Sequence, residues 1–225
     1  MLNRAAAIAV KDLRLSLSGG QGLVQAVLLG LLLIFLFSLA YAEGAAVLPQ
    51  AAAAIFWLAS AFGLVLVFND LFSLEEANQA RLGLLSSPAP AHSVWLGKGM
   101  AGLLLLLLSQ LVFLPATAVF LGQDIKGPFW LLAVTLASAD IGLVVVGALL
   151  GALSQGQAAR ESLLSVIVFP LLLPVLLGAI TLFGMVFSGL GVEESGSWLG
   201  LIGAFDALFG GAGLLLFPFV YGGEE

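Results

Sequence analysis

The sequence predicts an all-α, polytopic integral membrane protein of six transmembrane helices, and three observations carry that reading. The 225 residues are 61% hydrophobic and 9% charged, with a mean hydropathy of +1.18. A soluble domain needs roughly 25% charged residues to coat its surface, so most of this chain must face something other than water. Six stretches are apolar over about 20 residues or more, enough to cross a hydrocarbon core about 30 Å thick. The basic residues fall almost entirely on one side of those crossings, the bias that membrane insertion imposes.

Residues 1–22 read either as an amphipathic helix lying in the membrane interface or as an ordinary positively charged leader to the first span. Wound as a helix, Leu2, Ala6, Ala9, Val10, Leu13 and Leu17 share one face, with Arg4, Lys11 and Arg14 opposite. Gly19, Gly20 and Gly22 then free the chain to turn into the first span. The predicted spans are 23–42, 47–68, 99–122, 129–153, 162–188 and 198–221, all within a single transmembrane domain, 1–225. Ala40-Tyr41-Ala42 resembles a cleavage site, but the apolar stretch before it is too long for a signal-peptide core. The first span is therefore expected to be retained.

Orientation follows from Lys and Arg alone. With the N-terminus in the cytoplasm, the inner segments hold Arg4, Lys11, Arg14, Arg81, Lys98 and Arg160, and the outer ones hold only Lys126. Glu43, Asp124, Glu193 and Glu194 accumulate outside. An odd number of spans would destroy this asymmetry. Both termini are thus expected in the cytoplasm.

Most reaction classes find no support. The chain has no cysteine, which removes disulfides, thiolate metal sites and a thiol nucleophile. Gly97-Lys98-Gly99 lacks the upstream glycine and the hydroxyl residue of a phosphate-binding loop, so ATP hydrolysis is not expected from this chain, which reads as no enzyme. His92, the one histidine, sits in a turn-like run from Pro88 to Ser93 and reads as a solvated loop residue. A net charge of -6 argues against nucleic acid as a partner.

Two acids fall inside predicted spans. Asp140 shares a helical face with Ala133, Ala137, Val144, Gly147 and Gly151, and Asp206 aligns with Gly203, Ala207 and Gly210. A carboxylate at a helix centre costs about 2.5–3.5 kcal/mol on insertion scales, so neither should face lipid. Each reads either as a polar element of a transport path or subunit contact, or as a partner in an interhelical hydrogen bond. Pro170 and Pro174 stack on one face of the fifth span, where each removes a backbone hydrogen bond; a hinge and a static kink are both consistent with them. In the inner segment 69–98, Leu71, Leu74, Leu82 and Leu85 fall on one stripe, predicting a short helix across the membrane face that ends at Ser86-Ser87-Pro88.

Several stretches, in this order, resemble the CcmB family, the membrane subunit of the cytochrome c maturation ABC transporter. They are Lys11-Asp12-Leu13-Arg14, Phe72 to Glu75, Leu84-Leu85-Ser86-Ser87-Pro88, Leu96-Gly97-Lys98 and the double-proline run Phe169 to Gly178. The likeness spans essentially the whole chain. It departs from the family pattern at Asn78-Gln79-Ala80, where a glycine often follows the loop acids.

The resemblance implies a non-catalytic permease subunit with a type-2 ABC exporter architecture, in the bacterial inner membrane. Its implied partners are a CcmA-like ATPase, a second copy of the chain, CcmC- and CcmD-like membrane proteins and a CcmE-like heme chaperone. ATP and Mg would enter only through the ATPase, and heme as cargo rather than as a tightly bound cofactor. The contact with the ATPase would fall on Asp70, Phe72, Leu74, Glu75, Glu76, Arg81, Leu84, Leu85 and Pro88. One His, three Met and no Cys offer few heme ligands, which favours coupling ATP hydrolysis to chaperone release over direct heme ligation. The competing function is a related exporter permease for lipid, polysaccharide or drug. A secondary transporter is disfavoured by sparse intramembrane charge and by the lack of a repeated pair of broken helices.

Overall fold

A computed structural model describes residues 1–19, 21–41, 47–77, 90–154 and 158–222. The protein is built from α1 (Leu2–Gly19), α2 (Gln21–Ala40), α3 (Pro49–Ala77), α4 (Ala91–Phe120), α5 (Phe129–Ser154), α6 (Ala158–Ser188) and α7 (Ser195–Gly222). A single 3-10 turn, Val192–Glu194, precedes α7, and no strand occurs among the described residues. Six of these helices, α2 to α7, are long and apolar enough to span a membrane.

The spanning helices pack around α3, whose neighbours are α2, α4, α5 and α6, while α7 rests on α5 and α6. Without a hydrophobic force between helices in lipid, close packing has to come from shape. Phe68 and Phe72, one turn apart on α3, enter notches left by Gly147 and Gly151, one turn apart on α5. A Cβ at Gly147 would stand 2.7 Å from the Phe68 ring, and Gly102 of α4 admits the tip of the same ring. On α3, Phe56 stacks on Phe183 of α6 with centroids 4.8 Å apart, and Trp57 meets that ring edge-on.

The connections at one end of the bundle are short and bonded. Gly122, with φ +63°, gives α4 the left-handed exit that helix ends favour. Beyond it the amides of Lys126 and Gly127 both donate to the Val186 carbonyl, and Gln123 Nε2 donates to the Val47 carbonyl. At the opposite end α1 lies against α4, and the last turn of α7 meets α3. The first helix and the end of the last therefore lie at the same end of the bundle, as an even number of crossings requires.

Three boundaries differ from the sequence reading. Helix α3 does not stop at 68 but runs to Ala77, because Leu71, Phe72 and Glu75 continue its buried face. Helix α4 begins at Ala91, ahead of the expected 99, so His92 occupies a helical turn rather than a solvated loop. On α1 the buried face is Ala5, Ile8, Ala9, Asp12 and Ser16, whereas Leu2, Val10 and Leu17 are exposed. Three sectors result: a face on the bundle, an apolar strip facing outward, and a basic strip of Arg4, Lys11 and Arg14. The sequence reading missed the first sector because one of its members is an acid.

Candidate functional site

The chemistry concentrates at the face where α1, the end of α3, the start of α4 and the end of α7 converge. Lys98 is at the centre, with a fully buried side chain. Its Nζ lies 2.9 Å from Glu75 Oε2 and 3.5 Å from Asp12 Oδ2, donates to the Leu71 carbonyl at 3.1 Å, and stands 4.4 Å from the centroid of the Phe72 ring. Glu75 also accepts from Tyr221 Oη at 3.0 Å. Asp12 Oδ1 pairs with Lys11 at 2.7 Å. Four helices are thereby tied through one ammonium group, and the two acids beside it are offset by two lysines.

Each partner arrives there for a local reason. Lys98 projects from the second turn of α4 beside Gly97, where α1 approaches so closely that a Cβ would stand 2.8 Å from the Ala5 carbonyl oxygen and from Ile8. Leu71, Phe72 and Glu75 fall on one side of α3 at helical spacing, so the carbonyl, the ring and the carboxylate all reach the same cation. Tyr221 lies in the turn after Pro218 and stacks on Phe217 with ring centroids 5.3 Å apart. The Pro218 ring leaves the Leu214 carbonyl without its helical donor. His92 Nε2 is 3.0 Å from that carbonyl, which accepts only, so this nitrogen carries the proton.

The residues expected to meet an ATPase divide into three groups. Phe72 and Glu75 are buried against Lys98 within the chain, because α3 continues as a helix through them and turns them inward. Asp70 is half-buried, accepts from Ser16 Oγ at 2.9 Å and covers Gly22 at the start of α2, while Leu74 is half-buried on α3. Arg81, Leu84, Leu85 and Pro88 lie outside the described residues, as does the side chain of Glu76. Lys98 and Glu75 flank this segment in sequence, and their ion pair joins the helices on either side of it.

A second polar cluster lies at mid-span. Gln110 Nε2 donates to Asp140 Oδ1 at 2.8 Å and approaches Ser60 Oγ at 3.3 Å, joining α4, α5 and α3. All three residues are buried, while Asp140 Oδ2 and Gln110 Oε1 have no hydrogen-bond partner among the described residues. Of the face predicted for Asp140, Val144, Gly147 and Gly151 are buried, but Ala133 and Ala137 are exposed. Asp206 is half-buried against Gly142 of α5, whereas nothing packs within 4 Å of a Cβ built at Gly203 or Gly210. Pro170 and Pro174 are exposed, and α6 runs as a helix through both.

Sequence reasoning missed the roles of Asp12, Tyr221, Gln110 and Ser60, and met Lys98 only in the charge bias, in a rejected phosphate-loop match and within a family-like run. A lysine in the second turn of a helix, among apolar neighbours, was the available signal.

Comparison with known proteins gives a consistent result. The family model described as "CcmB protein" matches residues 3–222. Heme exporter protein B of Haemophilus influenzae is 30% identical over 174 residues, covering 77% of each chain. Heme exporter protein B of Rhodobacter capsulatus is 26% identical over 187 residues, covering 83% of this chain and 85% of the relative.

Proposed function

The chain belongs to the CcmB family, and from that premise we propose that it is the permease subunit of an ABC-type heme exporter serving cytochrome c biogenesis. It couples ATP hydrolysis by a separate CcmA-like ATPase either to heme export or to release of a heme-loaded chaperone. It works as a homodimer in the inner membrane, beside CcmC- and CcmD-like proteins, with both termini in the cytoplasm. Arg81, Leu84, Leu85 and Pro88 meet the ATPase, and Asp70, Leu74 and Glu76 border that contact. Phe72 and Glu75 act inside the chain, passing the movement inward.

The observation that supports this reading most is the Lys98–Glu75 pair, which joins the two helices that flank residues 78–89. A push on that segment displaces the end of α3 and the start of α4, and Lys98 links both to α1 and, through Glu75, to α7. The intramembrane polar group of Gln110, Asp140 and Ser60 joins α3, α4 and α5 deeper in the bundle. Coupling carried through packed and hydrogen-bonded elements needs such continuity.

The test is co-expression with the ATPase subunit of the same transporter and charge reversal at Glu76 and Arg81. Loss of co-purification together with loss of c-type cytochrome maturation is expected. An ATPase that stays bound, with normal maturation, refutes the assignment of this segment.

A further inference from the structure

The charges around Lys98 are divided so that α1 can leave without stranding one. Asp12 and Lys11 are neighbours on α1 and pair at 2.7 Å; Lys98 and Glu75 pair at 2.9 Å on the frame of α3 and α4. The link between the two pairs is the longer Lys98–Asp12 contact, 3.5 Å, and Asp12 Oδ2 makes no hydrogen bond among the described residues although it is buried. If α1 moves away, Asp12 takes its counter-ion with it and Lys98 keeps its own. Parting Lys98 from Glu75 would instead leave buried charge uncompensated, which is strongly unfavourable.

The surfaces at this plane suit separation. Helix α1 presents the small residues Ala5 and Ala9 and the single branched side chain of Ile8 around Gly97, and its hydrogen bond to the frame, Ser16 Oγ to Asp70 at 2.9 Å, ends on a half-buried acid that water can reach when α1 leaves. Its outward strip of Leu2, Val10 and Leu17 beside Arg14 suits the headgroup layer when the inner contacts open.

We propose that α1 is a strap over the cytoplasmic end of α4 that opens along the plane between the Lys11–Asp12 and Lys98–Glu75 pairs. The frame formed by α3, α4 and α7 stays closed as it does so. The strap is independent of the transported cargo; only its use in coupling rests on the function proposed above.

The absence of cysteine from the chain gives a clean test. Full-length protein in lipid nanodiscs, without the ATPase, carries one reporter cysteine, Ile8→Cys on α1 or Leu71→Cys on the frame. The rate of alkylation by a water-soluble maleimide is then measured. Asp12→Asn should speed labelling at position 8 by about tenfold, a modest part of the attraction between unit charges 3.5 Å apart, and leave position 71 unchanged. Glu75→Gln should slow labelling at position 8, because Lys98 then depends on Asp12 alone. An ordinary structural contact would loosen α1 in both variants.

No acceleration in Asp12→Asn, or equal acceleration at both reporters, overturns the proposal. So does acceleration confined to α1 in Glu75→Gln. Should Glu75→Gln fail to fold, the Asp12→Asn pair of rates decides alone. Failure here leaves the exporter reading standing, and loss of that reading leaves the strap intact.

Discussion

Replacing Lys98 with Met tests the central contact most directly. Met fills much of the same volume with an apolar chain, so packing against Phe72 is largely kept while the charge is removed. Glu75 and Asp12, both almost completely buried, then lose the cation at 2.9 and 3.5 Å, and the Leu71 carbonyl loses its extra donor. Removing one partner of a buried ion pair costs about 3–5 kcal/mol. Asp12 retains Lys11 and Glu75 retains Tyr221, which places the expectation near the lower end, about 3 kcal/mol. Reversible unfolding in mixed detergent micelles measures it, with Glu75→Gln and the Lys98→Met/Glu75→Gln double variant completing a cycle. The double variant should be less destabilised than the sum of the singles by at least about 1 kcal/mol, because neither charge is then stranded. A single variant within about 0.5 kcal/mol of wild type, or strict additivity in the cycle, would show that Lys98 is not the tie between these helices.

Three other perturbations probe the rest of the bundle. Gly147→Ala places a methyl group against the Phe68 ring and should cost about 1–3 kcal/mol, read by the same unfolding assay. Gln110→Leu removes the donor to Asp140 and should cost about 1–3 kcal/mol, while Asp140→Asn, which keeps an acceptor, should be milder; thermal denaturation in nanodiscs compares them. His92→Ala leaves the Leu214 carbonyl unpartnered above Pro218 and should cost about 1 kcal/mol, with faster amide exchange confined to the last turns of α7.

Much of this fold is legible because lipid imposes a strict rule on length and hydropathy. Six spans and a leader helix follow from it, and the boundaries around α3 and α4 fail where a polar group is buried inside the protein. Asp70 and Glu75 end the second span in a hydropathy reading. In the structure Ser16 donates to Asp70 and Lys98 matches Glu75, so α3 runs on for about two and a half more turns. Asp12 is hidden in the same way. Its partner comes from α4 and leaves no periodic signal around it, and Tyr221 gives no hint that it reaches Glu75. The glycines of α5 are legible as a close-packing pattern, but the phenylalanines that fill them are not. Pattern reports that a face is notched and leaves its occupant to the three-dimensional fold.

A buried ion pair is a poor choice for stability alone, since apolar residues of equal volume often do as well or better. What such a pair supplies is register: a cation held by one carboxylate on α3 and approached by another on α1 accepts only one relative position of the helices. At Lys98 this argument has a second part. An apolar contact between α1 and α4 would hold in proportion to its area and would weaken gradually as the surfaces part. The divided charges instead give two defined arrangements, four groups together or two neutral pairs apart, with little between them. The function proposed above asks the bundle to pass a discrete movement from the segment between α3 and α4 to its membrane spans; a contact with two defined states joining the helices that flank that segment suits the task, and Lys98 makes it.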